Sequence, residues 1–334
     1  DGLQQLALNA MSNSDIGITI DGLASVSGVD QFQQIEDARL DDLQAMALSA
    51  LAVSDDGFSS QELAALSGLA EFAQIPEATL GDLQESAMSA MANSERGITS
   101  PGIAALGGTD FYDDLAGDAM GSLQELAVET MVNSELEITT EAFSQIGGRD
   151  EFAAIPEERR EDLQGVTLSA MADSTIGITV DALVEIGGVE EFAEFGDTAL
   201  DDLQDIALLA MADSSTGITV DGLAVLSGTA SLDTVERDEL DDIRTRAITA
   251  MGKSATGIQP SKLVEIMGDT ALTILNLSGS PVGDTDLLNI PDMSKLEVVD
   301  LAGCGDITDK GIERLSFAKG LRSLNVSGTR ITTQ

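Results

Sequence analysis

A period of 40 residues runs through most of this chain and constrains its fold more than any other feature. The pair Leu-Gln recurs at Leu3-Gln4, Leu43-Gln44, Leu83-Gln84, Leu123-Gln124, Leu163-Gln164 and Leu203-Gln204, and Ile243-Arg244 continues the series. Around each pair stands a common script, roughly DLQ-x-x-A-x-SAMANS-x-x-GIT-x-DGLAALGG-x-x-EFA-x-IPEATL. Six copies fill residues 2–241 and a seventh begins at Asp242. A fixed period of this kind describes units that stack to bury the apolar face none can bury alone.

Within a copy, Leu80, Leu83, Ala87, Ala90 and Met91 fall at steps of three and four, which predicts an α-helix of about four turns. Pro76 and Pro156 suit its first turn, and Asn93-Ser94 with Gly97 mark its end. A second helix should start at Thr179 as N-cap, with Asp181 near the positive end of its dipole, and stop at Gly187-Gly188. A short third helix is expected around Glu191-Phe192-Ala193. Two or three helices per repeat is generically similar to HEAT and armadillo units, so residues 1–241 read as an acidic α-solenoid and residues 242–271 as a transitional seventh repeat.

From residue 272 the texture changes. Leu272-x-x-Leu275-x-Leu277, Leu296-x-x-Val299-x-Leu301 and Leu321-x-x-Leu324-x-Val326 all fit LxxLxL, spaced 24 and 25 residues apart. Leu301-x-x-Cys304-x-x-Ile307-Thr308-Asp309-x-Gly311-Ile312-x-x-Leu315 resembles the cysteine-containing subtype of the leucine-rich repeats. That resemblance implies a parallel strand per repeat on a concave face, a helix outside, and a binding role; Ser280 and Thr329 depart from it where a cysteine would recur. The expected fold class is mainly α: an α-solenoid of 40-residue helical repeats continuing into a C-terminal α/β leucine-rich-repeat segment, residues 272–334. Leu3-x-x-Leu6-x-Leu8 and Leu163-x-x-Val166-x-Leu168 also satisfy LxxLxL, so the long repeats could be stretched relatives of the short ones. Ala-Met runs favour helix over strand.

Charge separates the two textures. Residues 1–241 carry 48 acidic and 6 basic side chains, whereas residues 242–334 carry 11 and 10. A surface this acidic repels nucleic acid, whose phosphates need Lys and Arg. It favours cations, basic partners or high ionic strength, and with only 5 lysines it points to an extracellular or cell-surface setting. No apolar run approaches the roughly 20 residues a membrane helix needs, so no membrane insertion is expected. The single cysteine excludes an intrachain disulfide and a cysteine zinc site.

Motifs with chemical potential weigh little. Asp173-Ser-Thr-Ile-Gly177 resembles a calcium loop, yet its first position is Asn13, Val53, Asn93, Asn133, Asp173, Asp213 and Lys253 down the array. A helix end, a glycine turn and a threonine cap account for the loop in every copy, while calcium needs several fixed oxygens. No cofactor is expected beyond weak, diffuse binding of Ca2+ or another cation. Gly252-Lys253-Ser254 lacks the glycine at position 247 that a P-loop requires. Gly283-Asp284-Thr285-Asp286 could suggest an acidic pair, but such carboxylates are usually solvated, and the chain has no histidine base.

The expected partner is a protein. Residues between the leucines of LxxLxL point outward, which selects Thr273, Ile274, Asn276, Glu297, Val298, Asp300, Arg322, Ser323 and Asn325 as the recognition face. Neither end of the array carries an evident cap, so head-to-tail contact with a second copy is a further expectation. Two readings follow: a non-enzymatic scaffold within an extended or filamentous assembly, or a recognition module spaced by its helical array. An enzyme using Asp or Glu pairs is the third and has the least to stand on.

Overall fold

Each of the first six copies of the repeat folds as a long helix, a short helix and a single 3-10 turn. In the computed structural model, which describes residues 2–134, 136–267, 273–290 and 293–332, the pairs are α1 (Gly2–Ser12) with α2 (Ile20–Ser27), α3 (Asp37–Val53) with α4 (Ser60–Leu66) and α5 (Glu77–Ala92) with α6 (Ser100–Leu106). They continue as α7 (Gly117–Asn133) with α8 (Thr140–Ile146), α9 (Glu157–Asp173) with α10 (Val180–Gly187), α11 (Asp197–Asp213) with α12 (Val220–Leu226) and α13 (Arg237–Lys253) with α14 (Pro260–Met267). Then come β1 (Ile274–Asn276), α15 (Asp284–Asn289), β2 (Val298–Asp300), α16 (Asp309–Arg314) and β3 (Ser323–Asn325). The protein is mainly helical with one small parallel sheet.

The script explains these elements residue by residue. Thr179 caps α10 by accepting from the Ala182 N–H, and Thr19, Thr99, Thr139 and Thr219 do the same three residues ahead of themselves. Gly188 ends α10 in the left-handed region at φ 68. The serine after each long helix turns its hydroxyl back onto the third carbonyl before it, as Ser94 does to Met91 and Ser214 to Met211, both at 2.8 Å. Pro76 is the N-cap of α5 rather than part of its first turn. The expected third helix at Glu191-Phe192-Ala193 is instead a 3-10 turn over Phe192–Glu194. One such turn between a glycine stop and the next N-cap leaves no length for an α-helical nucleus.

Contacts divide the chain into two compact units, Asp1–Thr167 and Leu168–Gln334. In the first unit α1, α3, α5 and α7 pack side by side, with α2, α4, α6 and α8 forming a second row. The core between the rows is Leu, Ala and Met: Leu43, Ala47, Leu48 and Leu51 of α3 are at most 1% exposed. Small residues let the rows close, since the methionine side chains of the long helices lie where a side chain on the short helix would go. A Cβ on Gly102 would strike Met91, and one on Gly22 would strike Met11. Rings link each copy to the next: Phe32 lies on Gly68, Phe72 on Gly108 and Tyr112 on Gly148.

The second unit repeats the arrangement with α11 beside α13, then changes from helix to strand. α13 packs along the edge of β1 that β2 leaves free, and the Thr249 hydroxyl donates to the Asn276 carbonyl at 2.9 Å. The strands follow in order β1-β2-β3, all parallel, with Leu275 beside Val299 and Val299 beside Leu324. Leu272, which opens the first LxxLxL match, and the expected boundary at 271/272 lie outside the described residues.

One core position breaks the pattern. Thr167 stands where the other long helices have Ala7, Ala47, Ala87, Ala127, Ala207 and Ala247, and it is fully buried with no partner for its hydroxyl. A buried hydroxyl left unpaired costs about 1–3 kcal/mol. Thr167→Ala should therefore stabilise the protein by about 1 kcal/mol, read as a higher urea midpoint at unchanged m-value. An unchanged or lower midpoint would contradict it.

Candidate interaction face

The nine residues chosen from LxxLxL spacing form three rows across the sheet, two within the strands and one in the residues just before them. Ile274, Val298 and Ser323 are in register across β1, β2 and β3, and so are Asn276, Asp300 and Asn325. Thr273, Glu297 and Arg322 form the third row, joined by Glu297 N–H to the Thr273 carbonyl at 2.8 Å and Arg322 N–H to the Glu297 carbonyl at 2.7 Å. Leu275 and Val299 point the other way and are 1% exposed. Alternation thus separates core from face in β1 and β2, whereas in β3 Leu324, in register with them, is 40% exposed.

The rows differ chemically. Asn276, Asp300 and Asn325 each accept, through Oδ1, the N–H two residues on, at 3.1, 2.9 and 3.2 Å, and so turn the chain out of its strand. Asn325 also donates to Asp300 Oδ2 at 3.2 Å. This row is therefore largely engaged in holding the fold. Ile274 and Val298, 46% and 37% exposed, form an apolar strip in the middle. Glu297 and Arg322 pair across the third row at 3.4 Å, and an exposed pair of this kind is worth little by itself.

The acidic loop of the short repeats has a structural use. Asp284 accepts three hydrogen bonds from the following repeat: Thr308 N–H at 2.7 Å, Thr308 hydroxyl at 2.6 Å and Gly311 N–H at 3.1 Å. The Thr308 hydroxyl, then its N–H, hold the Asp284 carboxyl below the usual range. Asp309 repeats the tie to Thr332, one repeat further on. Asp286 accepts from the Gly283 N–H at 2.8 Å at the start of α15. The expectation of solvated carboxylates is corrected here: neighbouring peptide groups take up their lone pairs. Since the folded pKa of Asp284 lies below the unfolded one, its contribution is present above about pH 4 and lost as pH falls through the folded value. The stability gap between the parent and Asp284→Asn should narrow as urea titrations move from pH 6 to pH 3; a gap independent of pH would refute the tie.

The calcium-like loops show the same logic. Asp173 Oδ1 accepts from Ser215 N–H at 3.2 Å, and Asp213 Oδ1 from Ala255 N–H at 2.8 Å, each reaching the next copy. Among the described residues no group of three or more His, Cys, Asp or Glu is placed to share a metal ion. Lys253 is exposed at the end of α13, and Ser254 caps that helix through the Met251 carbonyl. Cys304 is fully buried, donates to the Leu277 carbonyl at 2.9 Å, and has its thiol pKa pushed up by burial. Ser280, at the same place one repeat earlier, is 2% exposed and has no partner for its hydroxyl.

The most regular polar contact was not anticipated from the sequence. The glutamine of a Leu-Gln pair donates to a carbonyl near the end of the short helix 22 residues later: Gln44 to Leu66 at 2.9 Å, Gln84 to Leu106 at 2.8 Å and Gln204 to Leu226 at 2.7 Å. Arg244 keeps the bond to Ile266 at 2.8 Å through Nε. The signal was the recurrence itself, a polar residue repeated at a half-buried position. In the fourth copy Tyr112, reaching over from the third, joins the contact: its hydroxyl meets both Gln124 and the Ile146 carbonyl, and burial raises its pKa to about 12.

Comparison with protein-family models, with curated proteins and with solved structures found no match. Among the described residues no helix is long and apolar enough to cross a membrane.

Proposed function

We propose that this chain is a non-enzymatic repeat scaffold for protein–protein contacts, in which stacked copies form a solenoid and residues 272–334 are leucine-rich repeats whose strand face meets a protein. One observation carries this reading: the polar residues that recur from copy to copy are engaged in stacking. Gln44, Gln84 and Gln204 tie helix to helix, and Asp173, Asp213 and Asp284 tie copy to copy. What is left facing outward on the sheet is an apolar strip, Ile274 and Val298, rimmed by Thr273, Glu297, Arg322 and Ser323. An apolar centre with a polar rim is the usual anatomy of a protein interface.

A second reading, self-association into an extended assembly, is favoured by the contrast between the acidic first 241 residues and the near-neutral remainder. The acidic, lysine-poor surface supports an extracellular or cell-surface location for either. A photo-crosslinking residue in place of Val298, used in the cells of origin, tests both. A reproducible adduct with one other protein, lost with Ile274→Asp, supports recognition; an adduct with a second copy supports assembly. Labelling no different from that at the exposed Ala78, on a helical copy, would overturn the strand-face reading.

A further inference from the structure

The last short repeat is charged opposite to the helical copies. Residues 314–334 hold four basic side chains, Arg314, Lys319, Arg322 and Arg330, and no acidic one, whereas residues 1–241 hold 48 acidic and 6 basic. Phe317 stands in this segment where the preceding repeat, 25 residues earlier, has Asp292, and it is 59% exposed. Its direction is fixed. It closes the 3-10 turn Leu315–Phe317, and the Arg314 guanidinium, tied to the Ile290 carbonyl at 3.1 Å, lies 5.1 Å from the ring centroid. Lys319 follows in the turn before β3, and Lys295 occupies the turn before β2. Both lysines are exposed, and among the described residues neither meets a carboxylate within ion-pair distance.

A groove of the complementary kind lies between the first two helical copies. It has a volume of about 550 Å³ and is lined by the loop after α1 on one side and by α4 with the residues that follow it on the other. Ile16, 81% exposed, and Leu69 supply an apolar wall, and Asp15, Asp21 and Asp56 an acidic rim. One copy further on the two apolar positions read Asp56 and Thr109, so the wall is not imposed by the repeat. Among the described residues no cation pairs with the three carboxylates of the rim.

We propose that Phe317 of one copy of the chain enters the groove between the first two helical repeats of a second copy, with Lys295, Lys319 and Arg322 meeting the carboxylates of its rim. Each side argues for the other. A fixed, outward ring among cations is an anchor that costs little to immobilise, and a groove with an apolar wall and an acidic rim matches it in both polarity and charge. The chain itself carries both halves, so a second copy meets the requirement without a further partner. This contact rests on the self-association reading and gives it two definite surfaces.

Sedimentation velocity of the full chain over a concentration series tests it, at about 0.15 M salt, where screening over about 8 Å damps the repulsion between whole copies but not the contacts at the rim. The parent should self-associate, and Phe317→Ser should raise the dissociation constant about tenfold. Lys319→Glu and Asp56→Lys should each raise it about fivefold, and the two together should return it to within about twofold of the parent. Asp56→Lys is the sharpest arm, because it lowers the net negative charge and by general repulsion alone would strengthen association. The charge exchange also decides the matter if the serine variant misfolds. A parent that stays monomeric would overturn the self-association reading and this contact together. A parent that associates while Phe317→Ser leaves it unchanged, Asp56→Lys strengthens it or the exchange fails to restore it would overturn this contact and leave that reading standing.

Discussion

Replacing Gly148 with alanine is expected to destabilise the protein by about 3 kcal/mol, and replacing Gly28 by only about 1 kcal/mol, although both are left-handed. Gly148 has φ 74 and Gly28 φ 82, so both alanines carry the strain that L side chains meet there. They differ in surroundings. A Cβ at Gly28 meets nothing within 4 Å, while one at Gly148 would overlap the Tyr112 ring. That ring cannot retreat, because its hydroxyl is held by the Ile146 carbonyl and Gln124 and Arg159 stacks over it at 5.4 Å. Urea unfolding of the two variants measures the difference. Equal losses would mean that the ring does not lock the third copy onto the fourth.

Gln44→Glu should cost about 2 kcal/mol at neutral pH, and Gln44→Arg should be close to neutral. The glutamate would set a carboxylate against the Leu66 carbonyl, two acceptors face to face in a half-buried place, whereas arginine restores a donor in the manner of Arg244 with Ile266. The sign of the pH effect follows. Repulsion and burial raise the folded pKa of the new carboxyl, so its penalty is present above that pKa and is relieved as pH falls through it and the group becomes a donor. Urea midpoints at pH 7 and pH 4 check both variants. A glutamate variant as stable as the parent at pH 7 would show that the repeated glutamine is not a tie.

Much of the architecture was legible because local rules and tertiary packing agree. Thr179 as cap, Gly188 as stop and the helical spacing of Leu83, Ala87 and Met91 all reappear. The short helical element at Phe192–Glu194 was placed from the sequence, but its single 3-10 turn was not, since its Phe192 ring lies on Gly228 of the next copy. The exposure of Ile274 and Val298 beside buried Leu275 and Val299 was legible for a simpler reason: alternation along a strand follows from the chain itself.

By itself the sequence determined the period, the helix and turn positions and the alternation along β1 and β2, because capping, left-handed glycine and side-chain alternation act over a few residues. Only the tertiary structure decided what the repeated polar groups do. Asp173, Asp284 and Gln44 look alike as surface polar residues, and their partners lie 22 to 42 positions away. A hydrogen bond between copies depends on how the rows stack, and that is fixed by the packing of Leu, Ala and Met beneath them.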